Sequence, residues 1–392
     1  MKFELNNEQR KYLGLEIVPE NWSKLQITEQ VFIYFDGNTI KKKISVTDNL
    51  YREIQLNEDT ENRTMLLPKT NRGKAKKLNY SSLDSRNGIG VYFNFDVSGI
   101  TIGNYTTEQT YYSTFFENIK FNSIDDLPIW LESFISKTTQ QDLKDLEEFA
   151  TKKRKRIKLK EGDFFTFKVD RRNYGFGRLI ADVRKIRKEP SFKEKKNYGL
   201  AQLMTQPLVI KVYHIIENSK KIELEKLKAL KGLPSQYIMD NALFYGDYEV
   251  IGNLPLEGWE IEFPISYARS ISHIDIKTVY LQYGRIYKEI HRDKFYKYIE
   301  IPNPESKNDW DSLKFNPHRN ESIGAGLNFN KSTLEKVIAK NSNEPYWNDK
   351  IYQRKDDLRN PENKLIKKEI FEFFGLNSEK SYFENIAKEN VS

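Results

Sequence analysis

The sequence predicts an α+β fold: two β-rich domains built from antiparallel hairpins with flanking helices, followed by a helical C-terminal segment. The chain of 392 residues contains 24 Phe and 23 Tyr, and both residue types favour strands. Several short stretches alternate apolar and polar residues, which is the period of a half-buried strand. Other stretches place apolar residues at helical spacing behind capping residues, which predicts amphipathic helices.

Two hairpins are predicted in the first part of the chain. Apolar runs at 31–35 and 40–46 flank Asp36-Gly37, and an Asp-Gly pair in this position is a strong hairpin signal. Residues 91–97 alternate cleanly, and Ser98-Gly99 turns the chain into the next strand. We therefore expect a sheet of antiparallel strands in this part.

Two helices are predicted to close the N-terminal domain. Ser123 is the expected N-cap of the first, and the residues from Thr139 to Asp142 begin the second. A basic run at 152–156 suits the end of that helix and marks the junction. The predicted domains are residues 1–152, 153–300, and 301–392, the last a loop with helices that dock on the second domain.

The second domain is predicted to open with a hairpin. A turn at 161–163 precedes a strand at 164–169, and the chain returns at 174–180. Gly175 and Gly177 lie in the returning strand, where they predict a bulge or a close backbone approach. The other predicted elements are a helix at 223–231, strands at 208–213, 244–251, 259–263 and 278–283, and C-terminal helices beginning at Ser332 and at Asn360-Pro361.

Four short pieces of this domain read KEGDFF at 160–165, YGFGRL at 174–179, PLVIKVY at 207–213 and YEVIG at 248–252. In this order they resemble the immunity protein 26 family of bacterial polymorphic toxin systems, and the likeness extends over residues 155–290. The resemblance implies a binding protein that neutralises a cognate toxin stoichiometrically. It also implies that the motif residues are mainly structural: Gly162, Asp163, Tyr174, Gly175 and Gly177.

The sequence shows no motif for catalysis, a cofactor or a metal. It lacks a phosphate-binding loop and a GxSxG elbow, and it has no cysteine. Its four histidines have no metal-ligand spacing. We therefore predict a protein that is not an enzyme and uses no cofactor. A hydrolase with a dispersed site stays open, because catalytic triads are recognised by geometry rather than by order in the chain.

The net charge of +8 is unevenly distributed. Basic residues cluster at 69–77, where Arg72, Lys74, Lys76 and Lys77 are candidate residues for binding an anion or a partner. If they bind an anion, nucleic-acid binding through these side chains is the alternative function. The other interpretation of this cluster is a solvated loop without a binding role.

Acidic residues at 142–148 and 257–262 are candidate patches for contact with a basic toxin. The sequence contains no apolar run long enough to span a membrane and no signal peptide, so we expect a cytoplasmic protein without a membrane partner.

Overall fold

The structure is a computed structural model, and its chain forms two compact units. It describes residues 3–67, 74, 76–114, 119–270, 272, 274–275, 277–299, 316–324, 327, 331–340, 347 and 355–389. Unit 1 contains Met1–Arg156 together with Tyr245–Asp247, and unit 2 contains Ile157–Phe244 and Tyr248–Ser392.

The described part of unit 1 is built on one antiparallel sheet. Its strand order is β1-β2-β3-β4-β7-β8-β9, and a short ribbon of β5 and β6 extends from β4. The strands are β1 (Ser23–Gln26), β2 (Val31–Asp36), β3 (Thr39–Val46), β4 (Leu50–Glu61), β5 (Met65–Leu66), β6 (Lys76–Lys77), β7 (Ile89–Asp96), β8 (Gly99–Asn104) and β9 (Gln109–Ser113).

Within the described ranges of unit 1, four helices accompany this sheet: α1 (Asn7–Tyr12), α2 (Tyr80–Asp84), α3 (Asp126–Ser136) and α4 (Gln140–Thr151). Alternation along β7 explains how the sheet packs. Phe93 and Phe95 are buried in one cluster with Leu127 and Leu131 of α3, while Tyr92 faces a second cluster on the other side. Both faces of the sheet are therefore covered by apolar side chains.

The first of the two closing helices begins later than its predicted cap. Helix α3 starts at Asp126, and the Ser123 hydroxyl instead accepts a hydrogen bond from the backbone N–H of Asp125. A helix that began directly after Ser123 would place Pro128 where its missing N–H is needed by the carbonyl of residue 124. A start at Asp126 puts Pro128 in the first turn, where that N–H has no intrahelical partner.

Unit 2 contains two sheets in its described part. The larger has the order β14-β10-β11-β12-β13-β18, and the smaller has the order β15-β16-β17. All neighbouring strands are antiparallel except β13 and β18. The strands are β10 (Asp163–Lys168), β11 (Tyr174–Asp182), β12 (Pro207–Glu217), β13 (Gln236–Met239), β14 (Glu249–Asn253), β15 (Ile265–Arg269), β16 (Thr278–Tyr283), β17 (Ile286–His291) and β18 (Ile323–Gly324).

The helices of unit 2 are short before residue 300 and longer near the C-terminal end. They are α5 (Val183–Ile186), α6 (Pro190–Lys193), α7 (Tyr198–Gln202), α8 (Leu224–Lys228), α9 (Asn241–Phe244), α10 (Lys331–Lys340), α11 (Lys364–Phe373) and α12 (Tyr382–Glu389). None of the helices in the described ranges has the length and apolar character needed to cross a membrane.

The larger sheet of unit 2 is buried on both faces. Ile210 and Val212 of β12 join one apolar cluster with Leu334 of α10. The neighbouring Val209 joins a different cluster, which includes Val279 of the smaller sheet. Side chains that alternate along one strand therefore connect the two sheets and the C-terminal helices into one unit.

The α+β fold and the antiparallel hairpins are confirmed, but one predicted strand begins later than expected and another is absent. Phe244 is the last residue of α9, and residues 245–248 turn before β14 begins at Glu249, so only 249–251 of the predicted strand 244–251 lie in a strand. The stretch 259–263 contains a 3₁₀ turn, Gly258–Glu260, instead of a strand. Its alternating pattern is misleading because Glu260 faces the interior, where it pairs with a buried arginine.

Candidate functional site

The turn that opens unit 2 depends on a glycine with a positive φ. Gly162 has φ +87°, and a Cβ on it would lie 2.2 Å from the carbonyl oxygen of Leu254. The Asp163 carboxylate accepts hydrogen bonds from the backbone N–H of Lys160 (2.7 Å) and from Asn253 Nδ2 (2.8 Å). Gly162 and Asp163 therefore hold the start of β10 against the end of β14, and neither offers a free functional group.

The glycines of the returning strand make room for aromatic rings. A Cβ on Gly175 would lie 2.4 Å from the ring of Phe167, and one on Gly177 would lie 2.4 Å from the ring of Phe165. The pairing of β11 with β12 also shifts register between the two glycines. Tyr174 begins this strand and is partly buried. These residues shape the sheet.

Arg178, in the same strand, is completely buried and holds the segment 254–260. One guanidinium nitrogen pairs with the Glu260 carboxylate, and Nη2 donates to the carbonyl oxygens of Leu254 (2.8 Å) and Pro255 (3.0 Å). The guanidinium also lies 4.3 Å from the ring centre of Phe164. We refer to Arg178, Glu260 and these two carbonyls as the Arg178 clamp.

The clamp has a consequence for the neighbouring tryptophan. Glu260 is buried, whereas Trp259 is 64% exposed. Since Glu260 faces the interior, the preceding side chain faces solvent. The clamp thus presents a large aromatic side chain at the surface of unit 2, and tryptophan is a residue type that binding hot spots use often.

A groove of about 460 Å³ lies beside Trp259. We call it the Trp259 groove, and the residues that matter to its chemistry are Lys211, Lys231, Trp259, Glu262, Arg359 and Pro361. Gly232 lets the chain approach β12 here, because a Cβ on it would lie 2.8 Å from the carbonyl oxygen of Val212. The hydrogen bond from Leu233 N to Val212 O (2.7 Å) fixes this approach.

The charged side chains of the Trp259 groove are of two kinds. Arg359 is held in place: it donates to Glu262 (2.7 Å), Asp357 (2.8 Å) and the Ser235 carbonyl (2.9 Å). The side-chain amino groups of Lys211 and Lys231 make no hydrogen bond or ion pair with any described residue, although the backbone of both residues is hydrogen-bonded. The groove therefore combines a neutralised arginine with two lysines that are available to an anion.

The histidine next to these lysines responds to their charge. Both ring nitrogens of His214 are buried without a hydrogen-bond partner. Burial, together with the positive charges of Lys211 and Lys231, lowers the pKa of His214 to about 4. The imidazole is therefore neutral near pH 7, and the local potential is positive.

Unit 1 contains a cluster of ionisable side chains that are paired with one another. The fully buried Glu53 accepts from Arg10 Nε (2.9 Å), from the Tyr51 hydroxyl (2.7 Å) and from Lys42 Nζ. Burial raises the pKa of Tyr51 and lowers that of Lys42, although Glu53 opposes the change in Lys42. Because these groups satisfy one another, the cluster serves to tie α1 to the sheet.

Three of the four basic residues proposed from the sequence lie in the described part of unit 1 and are exposed. Lys76 and Lys77 are exposed on β6, and Lys76 Nζ donates to the Ser85 hydroxyl (3.0 Å). Lys74 is exposed as well. Arg72 lies outside the described residues. The three described lysines thus belong to the surface of unit 1.

The expected acidic patch at 257–262 is not present as such. Glu260 is buried on Arg178, Glu262 pairs with Arg359, and Glu257 lies 3.3 Å from Lys228. In the other patch, Asp142 is buried as part of the cap of α4. Among the described residues, no three His, Asp or Glu side chains come together as metal ligands.

The groove residues were not identified from the sequence. Lys211, Lys231 and Arg359 lie far apart in the chain, and no spacing connects them. Trp259 gave no signal either, because its alternation with acids indicated a strand, and its exposure is visible only in the structure. Unit 2 is thus an α+β unit whose motif residues support its fold and whose surface carries a basic groove with an exposed tryptophan.

Comparison with known proteins adds one finding. Residues 160–273 match the model of the Immunity protein 26 family. This segment spans β10 to β15 and includes the Arg178 clamp and Trp259. The match confirms the family resemblance seen in the sequence. A search of curated proteins found no match, and neither did a search of solved structures.

Proposed function

We propose that this protein is an immunity protein that neutralises a cognate bacterial toxin by stoichiometric binding in the cytoplasm. The match of residues 160–273 to the Immunity protein 26 family carries the proposal. The geometry supports it, because Gly162, Asp163, Gly175 and Gly177 serve the fold and leave recognition to the surface. Such a protein acts by covering or distorting the toxin, without turnover.

The test is a titration of the product of the neighbouring gene. We expect co-expression of the full chain to rescue growth and the two proteins to form a complex of defined stoichiometry. Residual toxin activity falls linearly with added protein and reaches zero at the stoichiometric point if the protein is a binder. Complete loss of toxin activity at a small fraction of that ratio indicates an enzyme instead. Absence of both rescue and complex refutes the proposal.

A second candidate function is nucleic-acid binding by unit 1. The exposed positions of Lys74, Lys76 and Lys77 favour it. The expected affinity for duplex DNA falls with salt with a log–log slope of about −0.9 for each phosphate contact. Replacement of Lys76 and Lys77 by alanine reduces that slope by about 2 if both contact phosphates. No mobility shift with micromolar protein at low salt refutes this alternative.

A further inference from the structure

The Trp259 groove has two positive charges that the fold does not use. Lys231 is exposed and Lys211 is partly buried, and neither pairs with an acid among the described residues. In contrast, Arg359 in the same groove is neutralised by Glu262 and Asp357. The unpaired lysines therefore define where an anionic group finds complementary charge.

An exposed aromatic surface adjoins these charges. Trp259 lines the groove, and Phe383 of α12 lies against the same turn, since a Cβ on Gly258 would be 2.9 Å from its ring. The two side chains are 64% and 53% exposed. Tryptophan is among the residue types most enriched in binding hot spots.

We propose that the Trp259 groove is the surface that contacts the toxin and that it receives an acidic segment of that protein. A carboxylate of the segment binds between Lys211 and Lys231, and an adjacent apolar side chain packs on Trp259. This inference rests on the function proposed above and adds the position and the chemistry of the contact.

The groove favours an acidic peptide over a nucleic acid. Its volume of about 460 Å³ accommodates a few side chains rather than a run of nucleotides. An aspartate or glutamate followed by an apolar residue matches two adjacent lysines and one tryptophan.

The experiment measures toxin affinity for the wild-type full chain and for three variants of it. Lys211→Glu combined with Lys231→Glu should weaken binding by about tenfold or more, mainly through a slower association rate at low salt. The matched control is Lys226→Glu, which changes an exposed lysine of the same unit that does not line the groove. It should leave affinity unchanged within about twofold. Trp259→Ala should also weaken binding, through a faster dissociation rate.

The outcomes separate this inference from the proposed function. If the wild-type chain and the double variant are both folded and bind the toxin equally well, the groove is not the contact surface, while the immunity function still stands. If the wild-type chain binds no toxin, the immunity function fails, and a fluorescein-labelled decapeptide of alternating glutamate and glycine tests the groove directly. Binding of that peptide that requires the two lysines supports the groove, and absent or lysine-independent binding overturns it. The proposal is also overturned if the chain binds a single-stranded oligonucleotide more tightly than the peptide and that binding requires the two lysines.

Discussion

Replacement of Arg178 by methionine should strongly destabilise unit 2. The side chains of Arg178 and Glu260 are 1% and 4% exposed, so removal of the arginine leaves a buried carboxylate without its counterion. It also removes the donors to the carbonyls of Leu254 and Pro255. Breaking a buried pair in this way costs about 3–5 kcal/mol of unfolding free energy.

Urea unfolding followed by circular dichroism measures this cost, with the transition of each unit fitted separately. The matched control is Lys220→Ala, because Lys220 and Glu249 form an ion pair whose side chains are 44% and 47% exposed. That change should cost less than about 1 kcal/mol. A second change, Glu260→Leu, made together with Arg178→Met, should recover part of the loss because no charge is then left buried. A loss below about 1 kcal/mol for Arg178→Met alone refutes the assigned role of the clamp.

Three further substitutions, the first paired with a control at Gly37, test other parts of the structure. Gly162→Ala should destabilise by more than about 2 kcal/mol, since φ is +87° and the new Cβ meets a carbonyl oxygen at 2.2 Å, whereas Gly37→Ala, with positive φ but open space, should cost about 1 kcal/mol. The pKa of His214 is about 4 in the folded chain, below its value in the unfolded chain, so as pH falls the unfolded wild-type chain takes up a proton first and is stabilised by it. His214→Phe removes this effect, so its melting temperature should fall less between pH 7 and pH 4.5 than that of the wild-type chain. Burial alone would raise the pKa of Asp170, but hydrogen bonds led by that from Lys331 lower it to about 2. Asp170→Asn should therefore cost about 1 kcal/mol at pH 7, and this difference should shrink steadily as pH falls from about 4 to 2. These assignments are contradicted if the His214 variant loses melting temperature with falling pH as the wild-type chain does, or if the difference for the Asp170 variant is as large at pH 2 as at pH 7.

Elements with local signals could be predicted from the sequence. The Asn360 side chain accepts a hydrogen bond from the backbone N–H of Glu362 (3.0 Å), and Pro361 follows it at the start of the helical segment. The same segment ends at Gly375, whose φ is +73°. Capping, proline geometry and a left-handed glycine each depend on a few neighbouring residues, so the sequence contains all the information they require.

Elements that depend on distant partners could not be predicted in this way. Trp259, Ile261 and Phe263 alternate with acids, which is the pattern of a strand. The structure has a 3₁₀ turn there because Glu260 reaches Arg178, which is 82 residues away in the chain. Nothing within a short window indicates that one of these acids is buried. The same limit applies to the Trp259 groove, whose basic residues are brought together only by the complete unit.

The charge of the candidate surface follows from the way arginines and lysines are used. Counting residues at 257–262 suggests an acidic surface, but Arg178 neutralises Glu260 and Arg359 neutralises Glu262. Arginine suits these internal pairs because its planar guanidinium binds carboxylates and carbonyls in fixed geometry. The side chains of the two groove lysines have no such partner among the described residues, so their positive charges are not neutralised. If the Trp259 groove is the contact surface, as proposed above, the partner is expected to be acidic at the point of contact, whatever its net charge.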